Sequence, residues 1–220
     1  MTSLTEDELL TIARRTMVEA QLRTRGIADQ RVLDAMLRVP RHEFVPEPYR
    51  RQAYEDHPLP IGEDQTISQP YIVASMLEAL ALTPTDKVLE VGTGSGYVTA
   101  LLAELAAQVI SVERHATLAT EARRTLDALG YKNVKVVVGD GTQGYPAEAP
   151  YDAITVAAAA PALPPRLLAQ LNEGGRMIIP VGPPENQQLQ LIRVQGDEPE
   201  VYLREACRFV PLIAGVDGCE

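Results

Sequence analysis

The fold of this chain can be inferred outward from one stretch, KVLEVGTGSGY, at residues 87–97. Its first five residues are typical of a buried strand, and three glycines at alternate positions then predict a tight turn before a helical pattern that continues to Leu105. Because glycine has no Cβ, such a turn lets the backbone approach a ligand closely and lets the next helix begin at once. The stretch therefore predicts the first strand–turn–helix unit of a sheet that binds a ligand at the turn.

Strands and helices continue to alternate after this unit. The predicted strands are VISVE (109–113), VKVVV (134–138), YDAITV (151–156) and RMIIPV (176–181). The helices that separate the strands are predicted to end at Leu105, Gly130 and Leu171. This alternation is typical of a parallel sheet with helices on both faces. After Gly182, two β-rich stretches, 187–194 and 201–213, are joined by a turn at 196–199. The predicted fold class is therefore α/β, with a doubly wound, mostly parallel, Rossmann-like sheet and antiparallel C-terminal strands.

A helical cap is predicted before the sheet. Thr5 and Glu8 form a capping-box pattern, Gly26 ends the first helix, and Asp29 caps a second that reaches residue 39. Five prolines lie between residues 40 and 60, so residues 40–69 are predicted as an ordered but irregular loop. A further helix is predicted from Pro70 to Leu80.

A single domain is predicted for residues 1–220, since this length lies within the range of one α/β domain. Its three parts are the helical cap with a substrate-side loop (1–69), the ligand-binding α/β core (70–182) and the C-terminal β extension (183–220).

Composition narrows the function classes. The net charge of −10 makes nucleic acid an unexpected partner, because binding to phosphates needs clustered cations. No apolar run approaches eighteen residues, so no membrane partner is expected either. The two cysteines, Cys207 and Cys219, are too few for a disulfide framework or a zinc site, and the N-terminus is acidic. These observations predict a cytoplasmic protein without a metal.

Three carboxylates, Glu90, Glu113 and Asp140, stand at the ends of consecutive predicted strands, where ligands bind in such sheets. Glu113 comes 21 residues after Gly92, the place of an acidic residue that accepts hydrogen bonds from both ribose hydroxyls. A dinucleotide fingerprint would require glycine at position 97, where this chain has tyrosine. Each carboxylate alone is equally well explained as a helix cap or a solvated loop residue. Together they favour a ligand with hydroxyls, amines and positive charge over a pyrophosphate.

Several motifs resemble a known family. VLEVGTGSGY, VISVER, VVVGDGTQGYPAEAPYDAITVAAAAP and LLAQLNEGGRMIIPVG resemble, in order, the motifs of class I S-adenosylmethionine-dependent methyltransferases. GEDQTISQPYIVA and RFVPL resemble one family among them, the protein-L-isoaspartate (D-aspartate) O-methyltransferases. The resemblance runs from about Met17 to Gly215. It implies a monomer that moves a methyl group from S-adenosyl-L-methionine to the free α-carboxylate of L-isoaspartyl or D-aspartyl residues in damaged proteins and peptides, leaving S-adenosyl-L-homocysteine.

The resemblance also implies roles for individual residues. Ser68 matches the active-site serine, in a loop with Thr66 and Ile67 that lines the methyl-transfer site. The other implied contacts are Glu90, Gly92 and Gly94 with the methionine part, Glu113 with the ribose, Asp140 and Gly141 with the adenine, and Gln65, Val210, Pro211 and Leu212 on the substrate side. Two residues depart from the family pattern: Asp64 stands where relatives often have glycine, and Ile213 where some have a polar residue.

Ser68 also has a plainer interpretation as the N-cap of the helix at Pro70, bonded to the Tyr71 N–H. Spacing alone favours the cap, the resemblance favours the active-site role, and a capping serine is also a positioned one. The three histidines are interpreted as isolated, and a carboxylate nucleophile needs no general base because it is already ionised at neutral pH. Two rival interpretations remain at this point: a methyltransferase of another class I family that acts on a small acid, and a non-catalytic or NAD-dependent nucleotide-binding protein.

Overall fold

The computed structural model describes residues 4–196 and 198–217. The strands in that part of the chain are β1 (Leu59–Gly62), β2 (Gln65–Ile67), β3 (Lys87–Val91), β4 (Gln108–Glu113), β5 (Val134–Val138), β6 (Tyr151–Val156), β7 (Leu171–Val181), β8 (Gln187–Gln195) and β9 (Glu198–Cys207). The last seven form one sheet in the order β5-β4-β3-β6-β7-β8-β9. Its strands pair in parallel up to β7, while β8 and β9 are antiparallel. The predicted doubly wound sheet with an antiparallel C-terminal end is confirmed.

Helices cover both faces of this sheet because its strands are apolar on both sides. On β3, Val88 and Leu89 are both fully buried, and they belong to two separate cores on opposite faces of the sheet. None of the helices in the described residues is both long enough and apolar enough to span a bilayer. The helices are α1 (Glu6–Thr16), α2 (Gln30–Arg38), α3 (Pro70–Leu80), α4 (Tyr97–Leu105), α5 (Ala116–Ala128) and α6 (Pro165–Leu168).

The helical cap begins as predicted. The Thr5 hydroxyl accepts from the Glu8 N–H at 3.3 Å, and the Glu8 carboxylate accepts from the Thr5 N–H at 2.8 Å, which completes the capping box. After α1 the chain continues as a π-helix over Met17–Leu22 and a 3₁₀ turn, and it ends at Gly26 with a left-handed φ of 96°. The Asp29 carboxylate caps α2 by accepting from the Arg31 N–H at 2.8 Å.

The prediction of an irregular loop over residues 40–69 is wrong in its second half. β1 and β2 form an antiparallel hairpin there, with Glu63 and Asp64 at its turn. Both turn residues have positive φ, 49° and 54°, a conformation that hairpin turns usually assign to glycine or asparagine. The strands are three or four residues long and their turn lacks glycine at these two positions, so the sequence gives no strand signal.

Two boundaries nearer the C-terminus also differ. The helix predicted to run through Leu171 ends at Leu168, and β7 begins at Leu171, because the Gln170 carbonyl already accepts from the Tyr151 N–H of β6 at 2.8 Å. The last β-rich stretch is a strand only to Cys207, and residues 208–213 continue as a loop. Cys207 is a free thiol, while Cys219 and Asp197, the latter in the predicted turn, lie outside the described residues.

Candidate active site

A cavity of about 850 Å³ opens at the carboxyl ends of β3, β4 and β6. The strand order reverses between β3 and β6, and doubly wound sheets bind ligands at this point. The predicted site residues that line the cavity are Gln65, Thr66, Ser68, Gly92, Gly94, Glu113, Gly141, Val210, Pro211 and Leu212. The structure therefore brings residues from five separate segments of the chain around one cavity.

The glycine turn forms the floor of the cavity. Gly92 has a φ of 94°, and a Cβ built there would lie 3.3 Å from the Ala157 side chain after β6. Gly141 meets an even closer neighbour, since a Cβ there would lie 2.6 Å from Cγ1 of Val91. Side chains at these positions would fill the space beside the strand ends, so glycine keeps this part of the cavity open.

Glu113 ends β4 and presents a buried carboxylate to the cavity. The side chain is 5 % exposed. One oxygen accepts from the Gly94 N–H at 2.9 Å and the other from the His115 N–H at 3.0 Å. These two bonds fix the plane of the carboxylate, and each oxygen retains a lone pair for a ligand donor.

Glu90 lies beneath the turn and does not line the large cavity. It is fully buried, and one oxygen accepts from the Thr99 hydroxyl at 2.5 Å and the Ser111 hydroxyl at 2.6 Å, while Oε1 has no partner in the described residues. Burial raises the pKa of Glu90 to about 8 against the opposing effect of these hydrogen bonds. Glu90 and Ser68 both line a second cavity of about 10 Å³, a volume close to that of one water.

Asp140 follows β5 and also stands outside the cavity lining. Its carboxylate accepts from the Thr142 N–H at 2.9 Å and the Thr142 hydroxyl at 2.6 Å, so it caps the 3₁₀ turn that begins at Gly141. Although burial acts to raise the pKa of Asp140, the bonds from Thr142 hold it below its usual value. The capping interpretation therefore describes Asp140 here, and the adenine contact implied for its side chain stays a prediction.

Ser68 lies between β2 and α3, with Gln65 and Thr66 on the same wall of the cavity. Ile67 does not line the cavity, since its side chain is 4 % exposed and packs in the core. α3 has Gln69 as its N-cap, with no capping hydrogen bond from a side chain, and Pro70 as its first residue. Ser68 is therefore not the helix cap, and its hydroxyl has no such structural role.

The loop after β9 lines the cavity on the same side as Ser68, away from the strand ends. The Ala159 N–H donates to the Val210 carbonyl at 2.8 Å, and the Leu212 N–H donates to the Ala159 carbonyl at 2.8 Å. The Gln187 side-chain amide also makes two hydrogen bonds to the backbone of Phe209, at 2.6 and 3.0 Å. These bonds hold Val210, Pro211 and Leu212 against the cavity although they lie outside a regular strand.

Several lining residues were not predicted as site residues. Arg114 and His115 follow Glu113 directly, and both pair with Asp217 at 2.5 Å. The interpretation of the three histidines as isolated is wrong, because each of them contacts a carboxylate, and His115 lies on the Glu113 side of the cavity. The rule that ligands meet strand ends would have found this pair and the two alanines after β6. The missed lining residues include Arg114, His115, Ala157, Ala158, Arg208 and Phe209.

The other two histidines lie away from the cavity lining. The His42 Nδ1 is 2.6 Å from the Tyr54 hydroxyl, and the His57 Nε2 is 2.9 Å from the Glu55 carboxylate. No group of three or more His, Cys, Asp or Glu side chains within residues 4–196 and 198–217 is arranged to hold a metal ion. The arrangement offers a buried acceptor on one wall and a serine on the other, and is suited to holding two reactants in fixed orientation.

Comparison with known proteins gives consistent matches. The family profile of protein-L-isoaspartate(D-aspartate) O-methyltransferase matches residues 13–217. The chain is 58% identical over 200 residues to a protein-L-isoaspartate O-methyltransferase of Koribacter versatilis (strain Ellin345), covering 91% of this chain and 90% of that protein. It is 59% identical over 201 residues to a protein of the same name from Methanoculleus marisnigri (strain ATCC 35101 / DSM 1498 / JR1), covering 91% of each.

Two solved structures share the fold over almost the whole chain. A protein-L-isoaspartate O-methyltransferase superposes with a TM-score of 0.83 at 31% identity, covering 92% of this chain and 67% of that one. A putative protein-L-isoaspartate O-methyltransferase from Plasmodium falciparum, in complex with S-adenosyl-L-homocysteine, superposes with a TM-score of 0.79 at 29% identity, covering 91% of this chain and 98% of that one.

Proposed function

Because the chain belongs to the protein-L-isoaspartate(D-aspartate) O-methyltransferase family, we propose that it repairs damaged proteins by moving a methyl group from S-adenosyl-L-methionine to the carboxylate of isoaspartyl and D-aspartyl residues. The observation that carries the proposal is that the family's serine loop and the glycine turn with Glu113 line the same cavity. The Plasmodium relative solved with S-adenosyl-L-homocysteine supports S-adenosyl-L-methionine as the methyl donor.

The cofactor is assigned to the wall formed by the strand ends. We assign the ribose hydroxyls to the Glu113 carboxylate, which is buried and already oriented by two backbone N–H groups. Gly92 and Gly94 leave room for the methionine part, and Gly141 for the adenine. In this arrangement Glu90 contributes from beneath the glycine turn. Asp140 contributes by capping the 3₁₀ turn that begins at Gly141, which holds Gly141 in place. S-adenosyl-L-methionine supplies the methyl group as a sulfonium, so the protein needs only to bind and orient it.

The substrate carboxylate is assigned to the opposite wall. Ser68 is the proposed active-site residue, with Gln65, Thr66 and residues 210–212 around the entering peptide. The carboxylate is ionised at neutral pH, since the reference pKa of such groups is about 3.5 to 4. No side chain has to remove a proton from it. Orientation of the two reactants can contribute about 7–11 kcal/mol in favourable cases, and the apolar Ile72, Phe209 and Val210 help exclude water.

Three further properties stay predictions. A cytoplasmic location rests on the low cysteine content, the absence of a nucleic-acid partner rests on the net charge of −10, and a monomer is implied by the resemblance. Membership of the family implies peptides and proteins that carry isoaspartyl residues as partners.

Methyl transfer to a matched pair of peptides tests the proposed function. The two peptides have the same sequence and differ only in whether one residue is isoaspartyl or aspartyl. We expect the protein to methylate the isoaspartyl peptide and leave the aspartyl peptide unmodified. Equal methylation of both would contradict the substrate assignment, and binding of S-adenosyl-L-homocysteine without transfer to either peptide would show that a different acceptor is used.

A further inference from the structure

Arg41 is completely buried between the helical cap, the Ser68 loop and α4. Its Nε donates to the Ala53 carbonyl at 2.7 Å, and its Nη2 donates to the Ser68 carbonyl at 2.8 Å. The guanidinium also lies over the ring of Tyr97, 4.9 Å from the centroid. One side chain thus connects the residue assigned to the substrate carboxylate with the first residue of the helix that follows the glycine turn.

This buried cation is unusual because no carboxylate in the described residues lies within ion-pair distance of it, and Asp56 acts on it only at longer range. Arg41 forms no ion pair with any residue that the structure describes, and its Nη1 has no hydrogen-bond partner there. Burial lowers the pKa of Arg41 to about 10, so the side chain remains charged at neutral pH. Burying an unpaired charge opposes folding, and an apolar side chain would fill the same space without that cost. Core packing alone therefore does not explain why an arginine bonded to two carbonyls occupies this position.

A purely structural role is the alternative, and Arg31 shows what it looks like. Arg31 donates to the Leu82 carbonyl and, at 2.6 Å, to the Leu105 carbonyl, so it also connects the cap to the core through two backbone groups. Neither of those carbonyls belongs to the cavity lining. Arg41 differs because one of its two acceptors is the peptide group of Ser68, which lines both the large cavity and the small one beneath it.

We propose that Arg41 is a positioning residue for methyl transfer, which fixes the Ser68 peptide group so that the Ser68 hydroxyl is directed into the cavity. The proposal rests on the proposed role of Ser68. The planar guanidinium of arginine suits this task because its N–H groups reach two carbonyls at once, whereas lysine carries a single ammonium on a flexible chain. Tyr97 supports the guanidinium with its ring, at the position where a dinucleotide-binding turn would have glycine.

Comparison of Arg41→Lys with Arg31→Lys tests the proposal. Both variants keep the positive charge and lose a guanidinium that donates to two carbonyls. Only Arg41 donates to the Ser68 carbonyl. We expect Arg41→Lys to lower kcat for the isoaspartyl peptide at least tenfold at saturating cofactor, with the Kd for S-adenosyl-L-homocysteine changed less than threefold. Arg31→Lys should lower Tm and leave kcat within twofold. A loss of kcat that follows the loss of Tm equally in both variants would show that Arg41 is structural only.

A double-mutant cycle with Ser68→Ala asks whether Arg41 acts through Ser68. If it does, Arg41→Lys should cause little further loss of kcat in the Ser68→Ala background, because the group it positions is already gone. Losses of kcat that multiply independently would overturn the proposal.

Amide hydrogen exchange of residues 65–69 gives a readout that does not depend on activity. It should become at least tenfold faster in Arg41→Lys and stay unchanged in Arg31→Lys. An inactive wild type would contradict the proposed function, while unchanged exchange in Arg41→Lys would contradict the positioning role. If Arg41→Lys does not fold, Arg41→Met, which buries no charge, takes its place. Failure of both to fold would assign Arg41 to the core alone.

Discussion

The two walls of the cavity are held in place by different means. On the cofactor side, Glu113 and Gly92 stand at the ends of adjacent parallel strands, so the register of the sheet fixes their positions. On the substrate side, Ser68 and Phe209 lie in irregular segments, and side chains far away in the sequence hold them by hydrogen bonds to their backbone. The difference implies that the fold determines where the cofactor binds, while a few individual side chains determine how the substrate meets it.

Ser68→Ala should have the largest effect, because it removes a group from the substrate wall without disturbing the fold. We expect kcat to fall by about 10²-fold, the size typical for the loss of one positioned donor, with an unchanged Tm. Steady-state rates and thermal unfolding of the same preparation measure both quantities. The N-cap of α3 is Gln69 and not Ser68, so Tm should not depend on the Ser68 hydroxyl. A lower Tm with normal turnover would show that Ser68 has a structural role instead.

Glu113→Ala should weaken the cofactor wall in a different way. The loss of charged hydrogen bonds to the ribose should weaken binding of S-adenosyl-L-methionine by about 1.5–3 kcal/mol, measured by calorimetry. The exposed Glu121 on α5 provides a matched control, and Glu121→Ala should bind normally. Equal affinities of wild type and Glu113→Ala would remove Glu113 from the site.

Glu90→Gln tests the protonation state of Glu90, which lies beneath the glycine turn and lines the small cavity together with Ser68. Because the folded pKa of Glu90 is raised to about 8 from 4.5, the folded state holds a proton that the unfolded state releases. Between about pH 5 and 8, the free energy of unfolding of the wild type should therefore fall as pH rises, by at most about 1.4 kcal/mol per pH unit from this group. Glutamine resembles the neutral acid, so the variant should lack this contribution. Urea unfolding of both proteins at several pH values measures the difference, and parallel curves would mean that Glu90 is ionised in the fold.

Asp64→Gly should have the smallest effect and concerns the hairpin turn. Asp64 has a φ of 54°, which glycine adopts without strain. We expect the substitution to stabilise the protein by about 0.5 kcal/mol, measured by denaturant unfolding. A clear loss of stability would show instead that the Asp64 side chain makes a favourable contact at the cavity.

The sequence predicts the sheet well because its strands are buried on both faces. β3 and β4 are five and six residues long and each carries three Val, Leu or Ile residues, and the helices between the strands have periodic apolar faces. The hairpin of β1 and β2 has neither signal, since its strands are short, Pro60 lies within one of them, and its turn has Glu63 and Asp64 where glycine would be expected.

The same difference applies to the candidate site, where residues at strand ends are easier to predict than residues elsewhere. The strand-end rule places Glu113 at the cavity because it is the last residue of β4, but it does not distinguish Glu90, which precedes the last residue of β3 and faces Thr99 beneath the turn. Arg41 could not be found from the sequence. A single arginine in a segment interrupted by prolines shows no periodicity, and its partners lie 12 and 27 residues away.

The chemistry of the product tests the central claim most directly, that the two walls bring a carboxylate to the cofactor without a base. The measurement is the release of labelled methanol from the methylated isoaspartyl peptide in mild alkali. We expect complete release, because transfer to a carboxylate forms a methyl ester. A methyl group that stays on the peptide would mean transfer to nitrogen, and would contradict the account.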